Sequence, residues 1–152
     1  MTTVIAVDLG GTNLRAALVG SDATVLAHAA VPTPTTGPSG EVITAAIVAR
    51  VEALLAAPEG RQATAIGVAS AGPLDLGRGW VTNSPNIAFP VVEITSPLRE
   101  RFGLPVALIN DARAGVLGER WAGATSMEAR YIYFPHPDLG IPKNDRHGED
   151  VT

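Results

Sequence analysis

Apolar and polar positions alternate from the start of the chain. Val4-Ile5-Ala6-Val7 and Leu14-Arg15-Ala16-Ala17-Leu18-Val19 are β-branched and aliphatic runs, and strands are predicted at about 3–9, 13–19 and 24–31. Pro32 and Pro34 close the third strand, and a loop follows through Gly40. From Glu41 the period changes. Val42, Ile43, Ala46, Ile47, Val51, Leu54 and Leu55 recur at helical spacing, which predicts a helix from Glu41 to Ala57 with Pro58 beyond its end. Ser39 stands where a cap to that helix would. Ala63 to Ser70 reads as a buried strand closed by Ala71-Gly72-Pro73, and residues 74–94 read as loop with a short strand around Trp80-Val81-Thr82. A helix beginning at Ser96-Pro97, with proline at its first position, runs to Phe102 and stops at Gly103. Val106 to Ile109 is a further strand. Asn110-Asp111 then start a helix to about Ala122, and Tyr131 to Phe134 opens one more strand.

The order βββαβαβα puts three antiparallel strands first and parallel crossovers afterwards. That is an α/β sheet of ribonuclease-H-like type, with helices expected on both faces. A length of 152 residues suits one domain burying ~70% of its unfolded surface. No apolar run approaches the ~18 residues needed to cross a bilayer, and Met1-Thr2-Thr3 leads straight into a strand, so a cytoplasmic protein without a signal peptide is expected. The absence of cysteine removes disulfides, thiolate zinc sites and thiol nucleophiles together. A net charge of −4 without a basic cluster argues against nucleic-acid and membrane partners.

Such sheets collect ligands at the carboxyl ends of their strands. Three turn sequences fall there: Asp8-Leu9-Gly10-Gly11-Thr12-Asn13, Ser70 to Pro73, and Asn110-Asp111. Two glycines between strands permit positive φ and bare the backbone N–H groups to an anionic oxygen. A carboxylate at Asp8 would hold a metal ion beside such phosphates. A tight hairpin with a Gly-Gly turn explains the same segment, and the lack of Gly-Lys-Ser/Thr excludes a P-loop. Asn and Asp are favoured helix caps, so Asn110-Asp111 has a structural reading too. An aspartate at a helix start beside a cleft is also placed to accept a proton from a substrate hydroxyl. The convergence predicts a cleft in which Asp8 and Asp111 face a shared ligand.

The blocks Asp8 to Asn13, Gly67 to Asp75, Gly79-Trp80-Val81, Asn83-Ser84-Pro85-Asn86-Ile87, Gly103 to Val106, Asn110 to Gly115 and Leu117-Gly118-Glu119 together resemble the ROK family of repressors, open reading frames and sugar kinases. The resemblance covers about residues 4–134 and is to the N-terminal lobe of a glucokinase-like sugar kinase. It implies an actin-like ATPase fold of two lobes, with ATP and sugar between them. It implies that Asp8, Gly10, Gly11 and Thr12 line the ATP-phosphate and Mg2+ site, with Asp8 as the metal's carboxylate. Asp111 would be the base that activates a hydroxyl of glucose or a related hexose. Asn110 would hydrogen-bond the sugar, and Asn86 with the Ala71-Gly72 turn would form more of the pocket wall. The sequence departs from the family after Asn86, where Ala88-Phe89-Pro90-Val91 replaces a frequent tryptophan. A sugar-sensing regulator of the same family, or an inactive sugar- or nucleotide-binding remnant, are the alternative readings. A homodimer of the full-length family member stays open.

After Phe134 the composition changes. Residues 135–152 hold three of the twelve prolines, two of the three histidines and Lys143, the only lysine. No strand or helix period survives there, and a loosely held or disordered tail is expected. The tail histidines His136 and His147 lack partners for a metal. The family's second glycine-rich phosphate turn, its second lobe and its cysteine-rich zinc site have no counterpart in this sequence. A truncation or frameshift near residue 135 is therefore expected, and negligible kinase activity from this polypeptide alone.

Overall fold

The structure is a computed structural model that describes residues 2–122. These residues fall into two compact units, one ending at Asn110 and one beginning at Asp111, each described by itself. The strand expected at 131–134 and the tail at 135–152 lie outside the described residues.

The first unit opens with a meander of β1 (Thr3–Leu9), β2 (Asn13–Gly20) and β3 (Val25–Pro32). Then come helix α1 (Glu41–Ala56), a 3-10 turn at Pro58–Gln62 and β4 (Ala63–Ser70). Three short strands follow: β5 (Leu74–Asp75), β6 (Trp80–Thr82) and β7 (Val91–Glu93). Helix α2 (Thr95–Phe102) and strand β8 (Val106–Asn110) complete the unit. The main sheet has the order β3-β2-β1-β4-β8, antiparallel among the first three strands and parallel from β1 through β4 to β8. This is the topology that the element order predicts.

Alternation decides the two faces of the sheet. Ile5, Val7 and Leu9 of β1, Leu14, Ala16 and Leu18 of β2, and Ile66 and Val68 of β4 are buried together. Ile43, Ile47, Val51 and Leu54 of α1 and Leu98 of α2 pack into the same core. Burying each valine, leucine or isoleucine among them contributes about 1.5–3 kcal/mol. The intervening positions Ala6, Asp8, Arg15 and Gly67 are exposed and lie on the other face. Within this unit, the helices expected on both faces of the sheet occupy one.

Element ends differ from expectation in small ways. Gly40 takes the capping position of α1, and Ser39 acts beside it, its hydroxyl accepting the Glu41 N–H at 3.3 Å. Helix α2 starts at Thr95, so Pro97 falls third in the first turn, where its missing N–H has no helical partner to lose. Gly103, at φ 65°, ends α2 as expected. Residues 74–94 form more than a loop: β5, β6 and β7 make a second antiparallel sheet, tied to α1 where Thr44 Oγ1 donates to the Glu93 carbonyl at 2.7 Å. β6 is the short strand expected at Trp80–Thr82, whereas β5 and β7, at two and three residues, are too short to show a period. In the β2–β3 turn, the Thr24 backbone N–H bonds the Asp22 carboxylate and holds its carboxyl below the usual range.

In the second unit, α3 runs over Asp111–Ala122. Asn110 closes β8 and Asp111 is the first helical residue, so the strand-to-helix junction falls between them. Among the described residues, no helix is long and apolar enough to cross a membrane.

Candidate phosphate and sugar site

The ends of β1, β4 and β8 are level. Leu9 pairs with Ser70, and Ser70 with Asn110, so three strands finish at one rim of the sheet. Each rim turn suggested by the sequence is there. The Asp8–Asn13 segment is a hairpin connection, Leu9 pairing with Leu14. The hairpin explanation is therefore correct as local geometry, and it occupies the Gly10 N–H of the turn but not those of Gly11 and Thr12 among the described residues.

Asp8 lies on the face of the sheet away from α1, its side chain 54% exposed. Directly opposite on β2 is Arg15, whose guanidinium is 3.9 Å from the Asp8 carboxylate. In the turn itself, the Gly10 N–H donates to the Asn13 carbonyl at 3.0 Å. The N–H groups of Gly11 and Thr12 donate to no acceptor among the described residues. Two carbonyls beside them are occupied. Thr33, buried just past β3, gives its hydroxyl to the Gly10 carbonyl at 2.6 Å and its N–H to the Thr12 carbonyl at 2.9 Å.

The glycines have different reasons for being glycine. Neither Gly10 nor Gly11 has a positive φ, contrary to the expectation from the Gly-Gly pair. Gly11 is required by close approach: a Cβ there would collide with the Asn86 carbonyl and lie 2.9 Å from the Asn86 Cβ. Gly72 is required twice over, by φ of 89° and by Ser84, whose side chain fills the space a Cβ would need. Segment 83–86 therefore touches both glycine turns. The segment is braced from behind by the Asn83 N–H to the Pro90 carbonyl at 2.7 Å, by Ile87 N–H to the Ser84 carbonyl at 3.2 Å, and by buried Ile87. Exposed Asn86 and the half-buried Ala71-Gly72 turn, both expected in the sugar pocket, are brought together with the Gly10-Gly11 turn.

Asn110 is half-buried at the end of β8. Asp111 is exposed, and its Oδ1 accepts the N–H of Ala112 at 2.8 Å in the first turn of α3. Asp111 belongs to the second unit and Asp8 to the first. The open groove of about 480 Å³ lined by Glu41, Val48, Glu52, Glu93 and Pro97 shares no residue with the rim.

The rim suits an anion. Free N–H donors with their neighbouring carbonyls turned elsewhere favour phosphate oxygens. No group of three or more histidine, aspartate or glutamate side chains able to hold a metal occurs among the described residues. Magnesium does not need one, because it keeps several waters and leans on one or two carboxylates plus the phosphates. Asp8 alone fits that demand. Arg15 and Thr33 were not singled out from the sequence. Arg15 faces Asp8 only through strand register, and Thr33 reaches the turn only through tertiary contact. The alternation around Leu14-Arg15-Ala16 was the one available hint, placing Arg15 on the same face as Asp8.

A mixed sheet in the order β3-β2-β1-β4-β8, with acidic and glycine turns at one rim, defines the class of actin-like ATPase lobes. Within that class the chain belongs to the ROK family, whose profile matches residues 4–134. It is 37% identical over 119 residues to a glucokinase from Streptomyces coelicolor, covering 78% of this chain and 36% of that one. A putative xylose repressor from a Caldicellulosiruptor species is 33% identical over 101 residues, 66% of this chain and 25% of the repressor. Among solved structures, a ROK family glucokinase from Streptomyces griseus, in complex with glucose and AMPPNP, matches with a TM-score of 0.68 and 37% identity. That match covers 80% of this chain and 37% of the glucokinase. The chain thus spans about a third of the length of the glucokinases it matches and has the fold of one lobe.

Proposed function

We propose that this chain supplies the phosphate-binding half of a site that transfers the terminal phosphoryl group of ATP to a hexose hydroxyl. The observation that carries the reading is the Gly10-Gly11-Thr12 turn, with two N–H donors unclaimed among the described residues, beside Asp8 at the common end of three strands. The similarity to a glucokinase solved with glucose and AMPPNP supports the choice of ligands.

In this reading, Gly11 and Thr12 donate to terminal phosphate oxygens, and Arg15 beside them offsets part of their charge. Asp8 would hold Mg2+, which when bound would supply positive charge to offset that of the phosphates. Asn86, Asn110 and the Ala71-Gly72 turn bind sugar hydroxyls, which suits a ligand presenting donors and acceptors all round. Asp111 accepts the hydroxyl proton as the sugar oxygen forms its bond to the γ-phosphorus and the bond to the ADP oxygen breaks. The Ala112 N–H, bonded to one carboxylate oxygen, orients the carboxylate and leaves its other oxygen to take the proton. A reaction that consumes ATP also fits the cytoplasm expected from the sequence.

A chimera tests this, with residues 4–134 replacing the matching segment of the Streptomyces coelicolor glucokinase. Glucose-dependent ADP release supports the reading. A chimera that folds by circular dichroism yet binds neither glucose nor nucleotide overturns it. The similarity to a xylose repressor favours a second reading, sugar binding without phosphoryl transfer. Its signature would be a chimera that binds sugar with no ADP release.

A further inference from the structure

We propose that Thr33 is a positioning residue for the phosphate turn, and that it makes the turn selective for anions by withdrawing its carbonyls. The proposal rests on the reading of the Gly10-Gly11-Thr12 turn as a phosphate site and adds the device that aims it.

A short loop presents carbonyl oxygens as readily as N–H groups, and a carbonyl facing a phosphate repels it. In a trans peptide the C=O and N–H of one unit point in opposite directions. No cis peptide occurs among the described residues. The Gly10 carbonyl is drawn toward Thr33 by a 2.6 Å bond from the hydroxyl, so the Gly11 N–H of the same peptide unit must point away from Thr33. The Thr12 carbonyl is drawn the same way by the Thr33 N–H at 2.9 Å, which sets the peptide unit on the far side of Thr12. One residue therefore draws two of the turn's carbonyls toward itself, and through the first of them turns the Gly11 donor the other way.

Thr33 is itself well fixed. It stands between Pro32 and Pro34, and a residue before proline is confined to extended backbone. Its side chain is buried, at 6% exposure, which shields both bonds from competition by water. A β-branched side chain adds a restricted χ1, so the hydroxyl has few directions to take. Serine would keep the bond with more freedom. Valine would keep the shape and the N–H bond, and lose the bond to Gly10.

The test follows the 15N-labelled chain by NMR during titration with inorganic triphosphate, comparing it with Thr33→Val and Thr33→Ser. Saturable shifts of the Gly11 and Thr12 amides in the parent chain are expected. Thr33→Val should bind about fivefold or more weakly, as befits one lost hydrogen bond, while Thr33→Ser returns close to the parent. A folded Thr33→Val that binds as well as the parent overturns the role of Thr33 and leaves the phosphate reading standing. A parent chain whose Gly11 and Thr12 amides ignore triphosphate overturns that reading and this proposal with it. Should Thr33→Val fail to fold, amide exchange in the parent chain decides. Slow exchange at Thr33 beside fast exchange at Gly11 and Thr12 supports the proposal, and equal rates overturn it.

Discussion

Asp8 and Asp111 are the two acidic residues of the proposed chemistry, and the fold holds them by different means. Asp8 sits in the central strand of five, with Arg15 opposite on one neighbour and Ala69 on the other. The turn after it is clasped by Thr33 on one side and pressed by Asn86 on the other. Asp111 opens a helix in a separate unit, and its carboxylate bonds the N–H of its own neighbour, Ala112. The phosphate half is thus a product of tertiary packing. Asp111, the proposed proton acceptor, is set by its place in the chain, at the step from strand to helix. Changes near Asp8 should register as stability and binding together, whereas changes at Asp111 should register in turnover alone.

The largest effect is expected at Asp111. In the chimera with the Streptomyces coelicolor glucokinase, Asp111→Asn should lower kcat by ~10²-fold or more, the share a general base contributes. Because Asp111 is exposed, the Tm and the glucose affinity should stay near the parent values. Steady-state kinetics with a parallel melt measure both. An Asp111→Asn chimera of unchanged kcat would make this residue only the first turn's hydrogen-bond acceptor, and the contrast with Asp8 would lose its chemical meaning.

Gly72→Ala is expected to lower stability by about 2–3 kcal/mol, combining left-handed strain with the collision against Ser84. Gly11→Ala meets only the Asn86 contact, without a backbone penalty, and should cost less stability than Gly72→Ala. It should nonetheless weaken triphosphate binding more, since it displaces the donors themselves. Denaturant melts and the amide titration separate the two effects. Equal losses in both measurements would show that the rim turns are interchangeable spacers.

Asp8→Ala should weaken magnesium-dependent nucleotide use on the order of tenfold, the scale of one charge-assisted contact, and leave glucose affinity nearly intact. The KM for nucleotide in the chimera, read at several magnesium concentrations, checks this. Loss of glucose binding instead would place Asp8 in the sugar pocket.

The same contrast explains how far the sequence could be read. The sheet order, the helix period of Ile43, Ile47, Val51 and Leu54, and the stop at Gly103 are local patterns, and each is found where expected. The level ends of β1, β4 and β8 follow from topology and register. What escaped were contacts between distant segments. Thr33 looks like a loop residue between prolines until the hairpin folds back against it. Gly11 looks like a conformational glycine, and its real demand is the nearness of Asn86, 75 residues on. Of the second sheet, β6 was expected at Trp80-Val81-Thr82, and its partners β5 and β7 escaped because two- and three-residue strands carry no period.

The smallest effect separates scaffold strength from site geometry. Ala23 has φ of 67° in the β2–β3 turn, a left-handed conformation that penalises any residue with a Cβ. The turn closes through Ala23 N–H to the Gly20 carbonyl at 3.0 Å and Gly20 N–H to the Thr24 carbonyl at 2.9 Å, at the end of β2 opposite Asn13. Ala23→Gly keeps those bonds and relieves the strain, offset in part by the greater freedom of glycine when unfolded, so a gain of about 0.5–1 kcal/mol is expected. Seven residues of β2 separate this turn from Asn13, and the Gly11 and Thr12 amides should answer triphosphate as in the parent. A stabler chain with unchanged binding would mean that Thr33 and Asn86 fix the phosphate turn locally. A stabler chain that also binds more tightly would mean that the whole hairpin, strand by strand, sets the position of Asp8.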